Sequence, residues 1–290
     1  MEDDRYCAGE LVWTGIDYLG EPIPYTRFIE KMKALPAREL ARSSYFGAVD
    51  LIGVPKPRYW LYRSQWNRKA HTVKVTPHWT WPDPDEPSQA NRALNVPVYV
   101  YTDGDEAELF LNGKSLGRRR KGASQQDPKA GGSRANPYYK GCDRYRLRWF
   151  DVPYQPGELK AVAYKNGAVI GEHVVRTAGK PVAVKLLPEE TTLPADGETC
   201  VFVQVDVVDA KGERNPWAKD RVSFKLTGPG KIMAVGNADP RAHESFKDVA
   251  SHPLYFGRAV VVVRRDKGAV GSVTLTAEAK GLQTASVEWK

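Results

Sequence analysis

Hydrophobic and polar positions alternate through the middle of the chain. Residues 96–101 alternate in this way, and the apolar run that ends at residue 111 leads directly into Asn112-Gly113. An Asn-Gly pair between apolar runs is a strong hairpin signal, because both central residues of such a turn need a positive φ. Further strands are predicted at residues 145–149, 159–164 and 169–175. The pattern predicts a β-sandwich domain over residues 70–179, with a polar loop at 122–141.

The same kind of pattern continues to the C-terminal residue. Turn residues, such as Gly228-Pro229-Gly230, separate short β-branched runs, and no segment with a helical period competes with them. The predicted strands cover residues 201–208, 222–226, 232–235, 259–264 and 273–277. A second, immunoglobulin-like β-sandwich domain is therefore predicted over residues 180–290.

Residues 1–67 have a different pattern. A short strand-like run at 10–13 precedes a loop rich in Gly and Pro, and a later run places Tyr59, Tyr62 and Trp66 on one face of a helix. A strand, a loop and a helix make one βα unit, which cannot bury its own apolar face. This segment is therefore predicted to be a piece of something larger.

Composition excludes several classes of protein. The chain has 290 residues, of which 41% are hydrophobic and 27% charged, as in ordinary globular proteins. Its apolar runs are too short to cross a bilayer, and the acidic N-terminus does not resemble a secretory signal peptide. The three cysteines have neither disulfide-framework nor metal-ligand spacing, so each is expected to be a small buried hydrophobe: Cys7, Cys142 and Cys200.

The net charge of +8 raises the question of nucleic acid or acidic glycan partners. The densest basic run is Arg118-Arg119-Arg120-Lys121. Basic runs are usually solvated, so the run is expected at the solvated end of a hairpin rather than in a specific anion site. Because no nucleic-acid motif accompanies it, no nucleic-acid partner is predicted.

Candidate chemistry is concentrated near the N-terminus. Trp13 ends the strand-like run, and an indole at such a position can stack on the apolar face of a sugar. Asp17 and Glu21 can accept hydrogen bonds from sugar hydroxyls or orient a neighbouring residue. The alternative is that Trp13 belongs to the core and that both carboxylates face solvent, and composition alone favours this alternative.

Other aromatic and polar residues are assigned to packing. His78, Trp79 and Trp81 are expected to pack at a domain junction rather than to contact substrate. The polar residues of a long connection are expected to make domain contacts: Asp239, His243 and Glu244. Their spacing fits no metal motif, so no metal site is predicted.

Several motifs, in a fixed order, carry a resemblance to a known enzyme family. They are WTGIDYLGEP at 13–22, SSYFGAVDLIGVPK at 43–56, YWLYRSQW at 59–66, PHWTW at 77–81, AELFLNGKSLG at 107–117, ADG at 195–197, GPG at 228–230 and HESFK at 243–247. Together they resemble family 2 glycoside hydrolases, especially the β-galactosidase-like group of the Bacteroidetes, over nearly the whole chain. The resemblance implies a mainly β fold class: two immunoglobulin-like β-sandwich domains preceded by the final βα unit, residues 1–67, of a truncated (β/α)8 barrel.

The resemblance also implies a site. The family is a retaining one, with one Glu as acid/base and one as nucleophile. The acid/base Glu follows an Asn after the fourth barrel strand, and the nucleophile lies on the seventh strand. The chain has no Asn-Glu dipeptide and matches from just before the eighth strand, so no catalytic residue is expected in it. Trp13 is implied as a wall of the subsite for the non-reducing-end sugar, with Asp17 and Tyr18 as loop residues near that subsite.

Two functions remain open at this stage. The chain is either the C-terminal portion of a β-galactosidase-like hydrolase, inactive alone, or a non-enzymatic β-sandwich module that binds carbohydrate or protein. The first is favoured because a free-standing module has no use for a lone βα unit; a truncated gene product is a third reading. The expected partner is a β-galactoside bound by the parent enzyme. No cofactor is predicted, homo-oligomer formation is open, and a periplasmic or secreted parent is expected.

Overall fold

A computed structural model describes residues 5–21, 40–85, 94–122 and 142–290. Within these ranges the chain forms helix α1 (Pro57–Trp66) and fifteen strands. The strands are β1 (Val73–Thr76), β2 (Asn95–Thr102), β3 (Glu106–Leu111), β4 (Lys114–Arg120), β5 (Leu147–Pro153), β6 (Glu158–Lys165), β7 (Ala168–Arg176), β8 (Ala183–Pro188), β9 (Cys200–Val208), β10 (Arg221–Thr227), β11 (Gly230–Gly236), β12 (Ser251–Pro253), β13 (Arg258–Arg265), β14 (Val273–Ala279) and β15 (Ala285–Trp289). The mainly β fold class is thereby confirmed.

The chain divides into two compact units. Unit 1 comprises Met1–Tyr59 and Ala238–His243, and unit 2 comprises Trp60–Asn237 and Glu244–Lys290. All fifteen strands lie in unit 2. The domain limits predicted from the sequence, 70–179 and 180–290, remain predictions.

The first half of unit 2 contains two antiparallel sheets. Their strand orders are β1-β2-β5 and β4-β3-β6-β7. Alternate residues of the strands turn inward, and fully buried side chains such as Val98, Leu109 and Leu159 fill the core. Asn112 and Gly113 have φ angles of 49° and 79°, so they form the predicted tight turn between β3 and β4. The predicted loop at 122–141 lies outside the described residues, except for Gly122.

The second half of unit 2 contains two four-stranded antiparallel sheets, ordered β12-β10-β14-β15 and β11-β13-β9-β8. Valine side chains from β9 and β13 fill much of their core. These two strands pair with Val203 opposite Val261 and Val201 opposite Val263, and all four side chains are buried. The five strands predicted in this region are confirmed. Three others were not predicted, namely β8, β12 and β15.

An aromatic junction joins the two halves of unit 2. The ring of His78 stacks on Trp81 at a centroid distance of 4.8 Å and meets Trp217 edge-on at 4.9 Å. Nε1 of Trp217 donates a hydrogen bond of 2.9 Å to the carbonyl of Thr80. Trp79 is fully buried, and its Nε1 donates to the carbonyl of Gln155. The aromatic side chains after residue 77 therefore pack, as predicted.

The structure corrects the prediction of a strand at residues 10–13. These residues have no β pairing, and Leu11 is 98% exposed. A strand is stabilised by hydrogen bonds to a neighbouring strand, and no described residue pairs with this run. The predicted helix, in contrast, forms as α1, where Tyr62 and Trp66 stack at 4.6 Å. The assignment of residues 1–67 to a barrel remains a prediction.

The basic run lies at an end of the β3–β4 hairpin, and its residues Arg118 and Arg120 are exposed, as predicted. It lies at the end of β4 remote from the Asn112-Gly113 turn, where the Arg118 guanidinium is 2.5 Å from Glu106 and covers the ring of Tyr164 at 3.6 Å. Lys121 donates to the carbonyl of Thr102, and burial lowers the pKa of its ammonium to about 8. Only Arg119 and Lys121 are partly shielded from solvent. The cysteines are half-buried rather than buried, because none of them faces a core cluster: Cys7, Cys142 and Cys200.

Candidate functional site

The candidate site lies in unit 1 and is organised around Asp17. The Asp17 carboxylate is buried and binds the Lys56 ammonium at 2.6 Å. Its other oxygen accepts hydrogen bonds from the backbone N–H of Gly47 at 2.7 Å and from the hydroxyl of Ser44 at 3.3 Å. The carboxylate is therefore neutralised and hydrogen-bonded, as a buried charge must be.

The backbone reinforces this arrangement. The N–H of Asp17 donates to the carbonyl of Val49, and the N–H of Ser44 donates to the carbonyl of Tyr18. A side chain at Gly47 would place its Cβ 2.5 Å from the backbone nitrogen of Asp17, so only glycine fits at that position. The loop that carries the site is thus fixed to residues 43–49 along its length.

Asp50 and Lys56 connect this region to the start of α1. The Asp50 carboxylate accepts hydrogen bonds from the N–H groups of Ile52 and Val54, which closes a turn. Burial raises the pKa of Asp50 above its ordinary value, although these hydrogen bonds oppose the shift. The Lys56 ammonium also donates to the carbonyl of Tyr45 and lies over the Tyr45 ring at 4.5 Å. Lys56 is thereby aimed at Asp17.

Tyr18 and Trp13 form the exposed part of the site. The Tyr18 hydroxyl donates to the carboxylate of Glu21, and this hydrogen bond raises the pKa of the hydroxyl. Trp13 meets the ring of Tyr18 edge-on at 6.3 Å, and Tyr18 meets Phe46 in the same way at 6.0 Å. The three aromatic rings therefore support one another in sequence, with Trp13 at the outer end.

The exposure of Trp13 bears on its role. Its side chain is 72% exposed, whereas Trp79 and Trp289 in unit 2 are almost completely buried. A tryptophan packed in a core would not leave its ring in solvent. Trp13 therefore presents a flat apolar surface, and the polar Tyr18–Glu21 pair lies beside it.

Residues of the long connection contribute to unit 1 as well. Arg42 donates from its backbone N–H to the carbonyl of Pro240 and from its guanidinium to the carbonyl of His243. Asp239 pairs with Arg241 at 3.4 Å, and in unit 2 Glu244 pairs with Arg221 at 3.1 Å. Among the described residues, no group of three or more His, Cys, Asp or Glu side chains could hold a metal ion. The domain contacts expected of this connection remain a prediction.

The sequence-predicted residues Trp13, Asp17 and Tyr18 do lie together. Sequence reasoning did not identify the partners that hold Asp17, namely Ser44, Gly47 and Lys56. Ser44, Gly47 and Lys56 belong to a motif that carried the family resemblance, but nothing local in that motif points back to residue 17. A buried acidic residue requires a cationic partner, but Lys56 is one of 43 Lys and Arg residues, so the sequence does not single it out.

The described part of the chain contains no helix long and apolar enough to cross a membrane. Its antiparallel sheets and two buried cores define a mainly β protein of the β-sandwich class.

Comparison with known proteins places the chain within a family. Residues 184–288 match the glycoside hydrolase family 2 C-terminal domain 5, and residues 94–171 match a domain family of unknown function. The β-galactosidase BoGH2A of Bacteroides ovatus is 37% identical over 98% of this chain and 28% of its own length. A β-glucuronidase of Formosa agariphila is 26% identical over 87% of this chain and 22% of its own length.

A solved structure agrees with these matches. The glycosyl hydrolase family 2 member from Bacteroides cellulosilyticus superposes with a TM-score of 0.75 at 28% identity, covering 96% of this chain and 35% of that one. The chain thus spans about a quarter to a third of the length of the relatives it matches. The chain belongs to glycoside hydrolase family 2 and corresponds to a C-terminal region of that family.

Proposed function

We propose that this chain is the C-terminal portion of a retaining glycoside hydrolase that acts on β-galactosides, and that it supplies one wall of the sugar-binding site. The observation that carries the proposal is the exposed ring of Trp13 on a loop fixed by Asp17. In the parent enzyme the loop follows the last strand of a (β/α)8 barrel, residues 1–67, where active-site residues are found.

The arrangement suits sugar binding by stacking. An indole ring offers flat apolar area to the axial C–H groups of a sugar, and an adjacent hydroxyl–carboxylate pair can bond to sugar hydroxyls. Tyr18 and Glu21 are such a pair. Asp17 is committed to Lys56, so its proposed role is to hold the loop rather than to touch the sugar.

The same contacts argue against catalysis by the chain alone. A retaining glycosidase needs two carboxyl groups on opposite sides of the glycosidic bond, one of them a free nucleophile. Beside Trp13, Asp17 is paired with a lysine and Glu21 with a tyrosine hydroxyl. We therefore assign both catalytic carboxylates to another part of the parent enzyme, and a structural or accessory role to the predicted sandwich domains at 70–179 and 180–290.

The sugar is assigned from the relatives. The match at 37% identity is a protein named β-galactosidase, and the match at 26% is named β-glucuronidase. We therefore favour a β-galactoside, and the test should offer the parent enzyme both an aryl β-galactoside and an aryl β-glucuronide. Faster turnover of the glucuronide would reverse this part of the proposal.

The decisive experiment replaces Trp13 in the parent enzyme. Trp13→Ala is expected to lower kcat/KM by about 100-fold, because the stacking surface contributes about 2–3 kcal/mol to transition-state binding. Trp13→Phe should recover part of the loss. Trp217→Ala, which removes a packing residue of unit 2, is expected to lower the melting temperature and leave kcat/KM within about 3-fold.

Three outcomes would contradict the proposal. If Trp13→Ala and Trp217→Ala lose activity in proportion to lost stability, Trp13 is only a packing residue. The isolated 290-residue chain is expected to give no hydrolysis of the aryl β-galactoside. Turnover by that chain that disappears in Glu21→Gln, or in a Gln variant of Glu10, three residues before Trp13, would place the chemistry within it. Tight binding of neutral galactose by that chain, lost in Trp13→Ala, would favour a binding module.

A further inference from the structure

Unit 2 contains a pocket that plays no part in the function proposed above. Its volume is about 460 Å³, within the range usual for small-molecule sites. The pocket is lined by the end of α1, by the segment leading into β1, and by residues that follow β2 and end β6. Its side chains are mostly polar, and none of them belongs to unit 1.

Cations outnumber anions in this pocket. Arg68, Lys69 and Lys165 line it, and Asp103 is the one carboxylate among its lining residues. Among the described residues, Arg68 and Lys69 have no carboxylate partner, and both are exposed. Two cations in the same pocket are therefore available to an anion.

Both carboxylate oxygens of Asp103 already have partners within the protein. One of its oxygens accepts the N–H of Thr72 at 2.7 Å, and the other is 2.8 Å from Nδ1 of His71 and 3.5 Å from the ammonium of Lys165. Burial alone would raise the pKa of Asp103, but these hydrogen bonds and the charge of His71 hold it below its ordinary value. Asp103 thus orients His71 and Lys165, and Nε2 of His71 remains to bind a ligand.

The same pocket offers hydrogen-bond acceptors and a neighbouring aromatic surface. Ser64 and Gln65 line it, and their carbonyls are among the last four of α1, which lack partners within the helix. Trp66, the next residue, has one face stacked on Tyr62 and is still 65% exposed. Acceptors suit hydroxyl groups rather than a bare anion, and an open indole face suits a sugar ring.

We propose that this pocket binds an acidic saccharide, a sugar that carries a carboxylate or sulfate group, with Arg68 and Lys69 on the oxyanion. His71, held by Asp103, donates to the same group or to an adjacent hydroxyl, and the carbonyls at the end of α1 accept from the sugar hydroxyls. The excess of cations repels a metal ion. The site contains no residue of unit 1 and does not depend on the function proposed for that unit.

Calorimetric titration of the 290-residue chain at constant ionic strength tests the proposal. The probes are galactose 6-sulfate, glucuronic acid, neutral galactose and sodium sulfate. At least one acidic sugar is expected to bind about tenfold more tightly than either galactose or sulfate alone, a preference equal to about 1.4 kcal/mol. Raising the salt concentration should weaken the binding, because charge attraction is screened.

A pair of matched double variants locates the site. Arg68→Gln with Lys69→Gln should weaken binding of the acidic sugar at least tenfold. Lys225→Gln with Lys231→Gln removes the same charge from exposed strand positions and should leave binding unchanged, as should Trp13→Ala. The four charged side chains are exposed and their glutamine replacements are hydrophilic, so both double variants should keep the melting temperature.

Three results would overturn the proposal. Equal weakening by both double variants would mean that binding depends only on net charge. Sulfate binding as tightly as the acidic sugars would make the site one for a free inorganic oxyanion, and neutral galactose binding equally well would remove the role of the cations. Failure of this test would leave the effect of Trp13→Ala in the parent enzyme unaltered, so the two proposals can fail separately.

Discussion

The contacts of Asp17 come from residues distant in sequence. Its carboxylate binds Ser44, Gly47 and Lys56, which lie 27, 30 and 39 positions further along the chain. From the sequence, Asp17 is equally able to accept hydrogen bonds from sugar hydroxyls or to orient neighbouring groups. The structure favours the second role. The carboxylate is buried, and its oxygens are already bound by Lys56, Ser44 and Gly47, so it is poorly placed to contact a ligand.

A second residue-scale feature is the environment of His78. Burial, with a smaller effect from the nearby charge of Arg214, lowers the pKa of His78 from 6.5 to about 4. The unfolded chain therefore binds a proton between pH 6.5 and about 4 that the folded chain does not bind. Stability due to this group is complete above pH 6.5 and is lost as the pH falls toward 4, by up to about 2–3 kcal/mol.

Denaturant unfolding at pH 7 and pH 4.5 measures this effect. His78→Phe keeps an aromatic ring against Trp81 and Trp217 but cannot take up the proton. The variant is expected to lose about 1–2 kcal/mol less than the wild type between the two pH values, whatever its stability at pH 7. An identical pH dependence in both proteins would show that His78 takes up its proton at the same pH in the folded and the unfolded chain.

At the scale of elements, the β3–β4 hairpin depends on its turn and on a neighbouring loop. Asn112 and Gly113 occupy the turn with positive φ. The Asn112 side chain accepts the N–H of Glu158 at 2.8 Å and donates to the carbonyl of Pro156 at 3.1 Å. Gly157 lies so close to the Asn112 side chain that a Cβ at residue 157 would be 2.0 Å from its amide oxygen Oδ1.

This geometry predicts different costs for two glycine substitutions. Gly113→Ala meets no atom within 4 Å, so only the positive φ of 79° is unfavourable, and a loss of about 1 kcal/mol is expected. Gly157→Ala combines a φ of 134° with the clash at Asn112, and a loss of about 2–4 kcal/mol is expected.

Chemical denaturation of the two variants gives the comparison. Asn112→Ala with Gly157→Ala serves as the control, because removing the Asn112 amide relieves the clash and should make the second substitution less costly. Equal losses for Gly113→Ala and Gly157→Ala would mean that the backbone moves freely at residue 157.

Two strands with weak sequence signals, β4 and β12, share a physical feature. β4 contains four basic residues and β12 has three residues, whereas the unpredicted strand β15 alternates exposed and half-buried positions and ends in the buried Trp289. β4 and β12 bury little apolar surface of their own, and they form because a neighbouring strand supplies hydrogen bonds. The reverse holds at residues 10–13, which have strand-like composition but no strand partner among the described residues.

At the scale of the whole molecule, stability should be unequal between the units. Both buried clusters lie in unit 2, whereas the β pairing described in unit 1 consists of isolated bridges such as Ile16 with Val49. Regions with few buried apolar contacts open locally at low free energy.

Amide hydrogen exchange should therefore be faster in unit 1. Amides at residues 14–20 and 42–49 are expected to lose protection at least about 100-fold sooner than those of β9, which corresponds to about 3 kcal/mol of opening free energy. Within unit 1 the N–H groups of Asp17 and Gly47 should be the slowest, because both are hydrogen-bonded. Protection equal to that of β9 would contradict the expectation, unless the chain self-associates through unit 1.

The sequence by itself determined much of the β architecture and the family. Alternation at residues 96–101 and 201–208, together with Asn112-Gly113, fixed strands and a turn because these signals act between residues close in the chain. The ordered motifs pointed to family 2 glycoside hydrolases, and the C-terminal family match agrees with them.

The tertiary structure alone decided how side chains from distant segments are used. It placed Lys56 on Asp17, left Trp13 exposed, and brought Arg68, Lys69 and Lys165 around one pocket. None of these outcomes has a local signature, since burial and charge pairing depend on which segments meet after folding. A carboxylate, a lysine or a tryptophan read in sequence is compatible with either a structural or a binding role, and its neighbours in space determine which one it has.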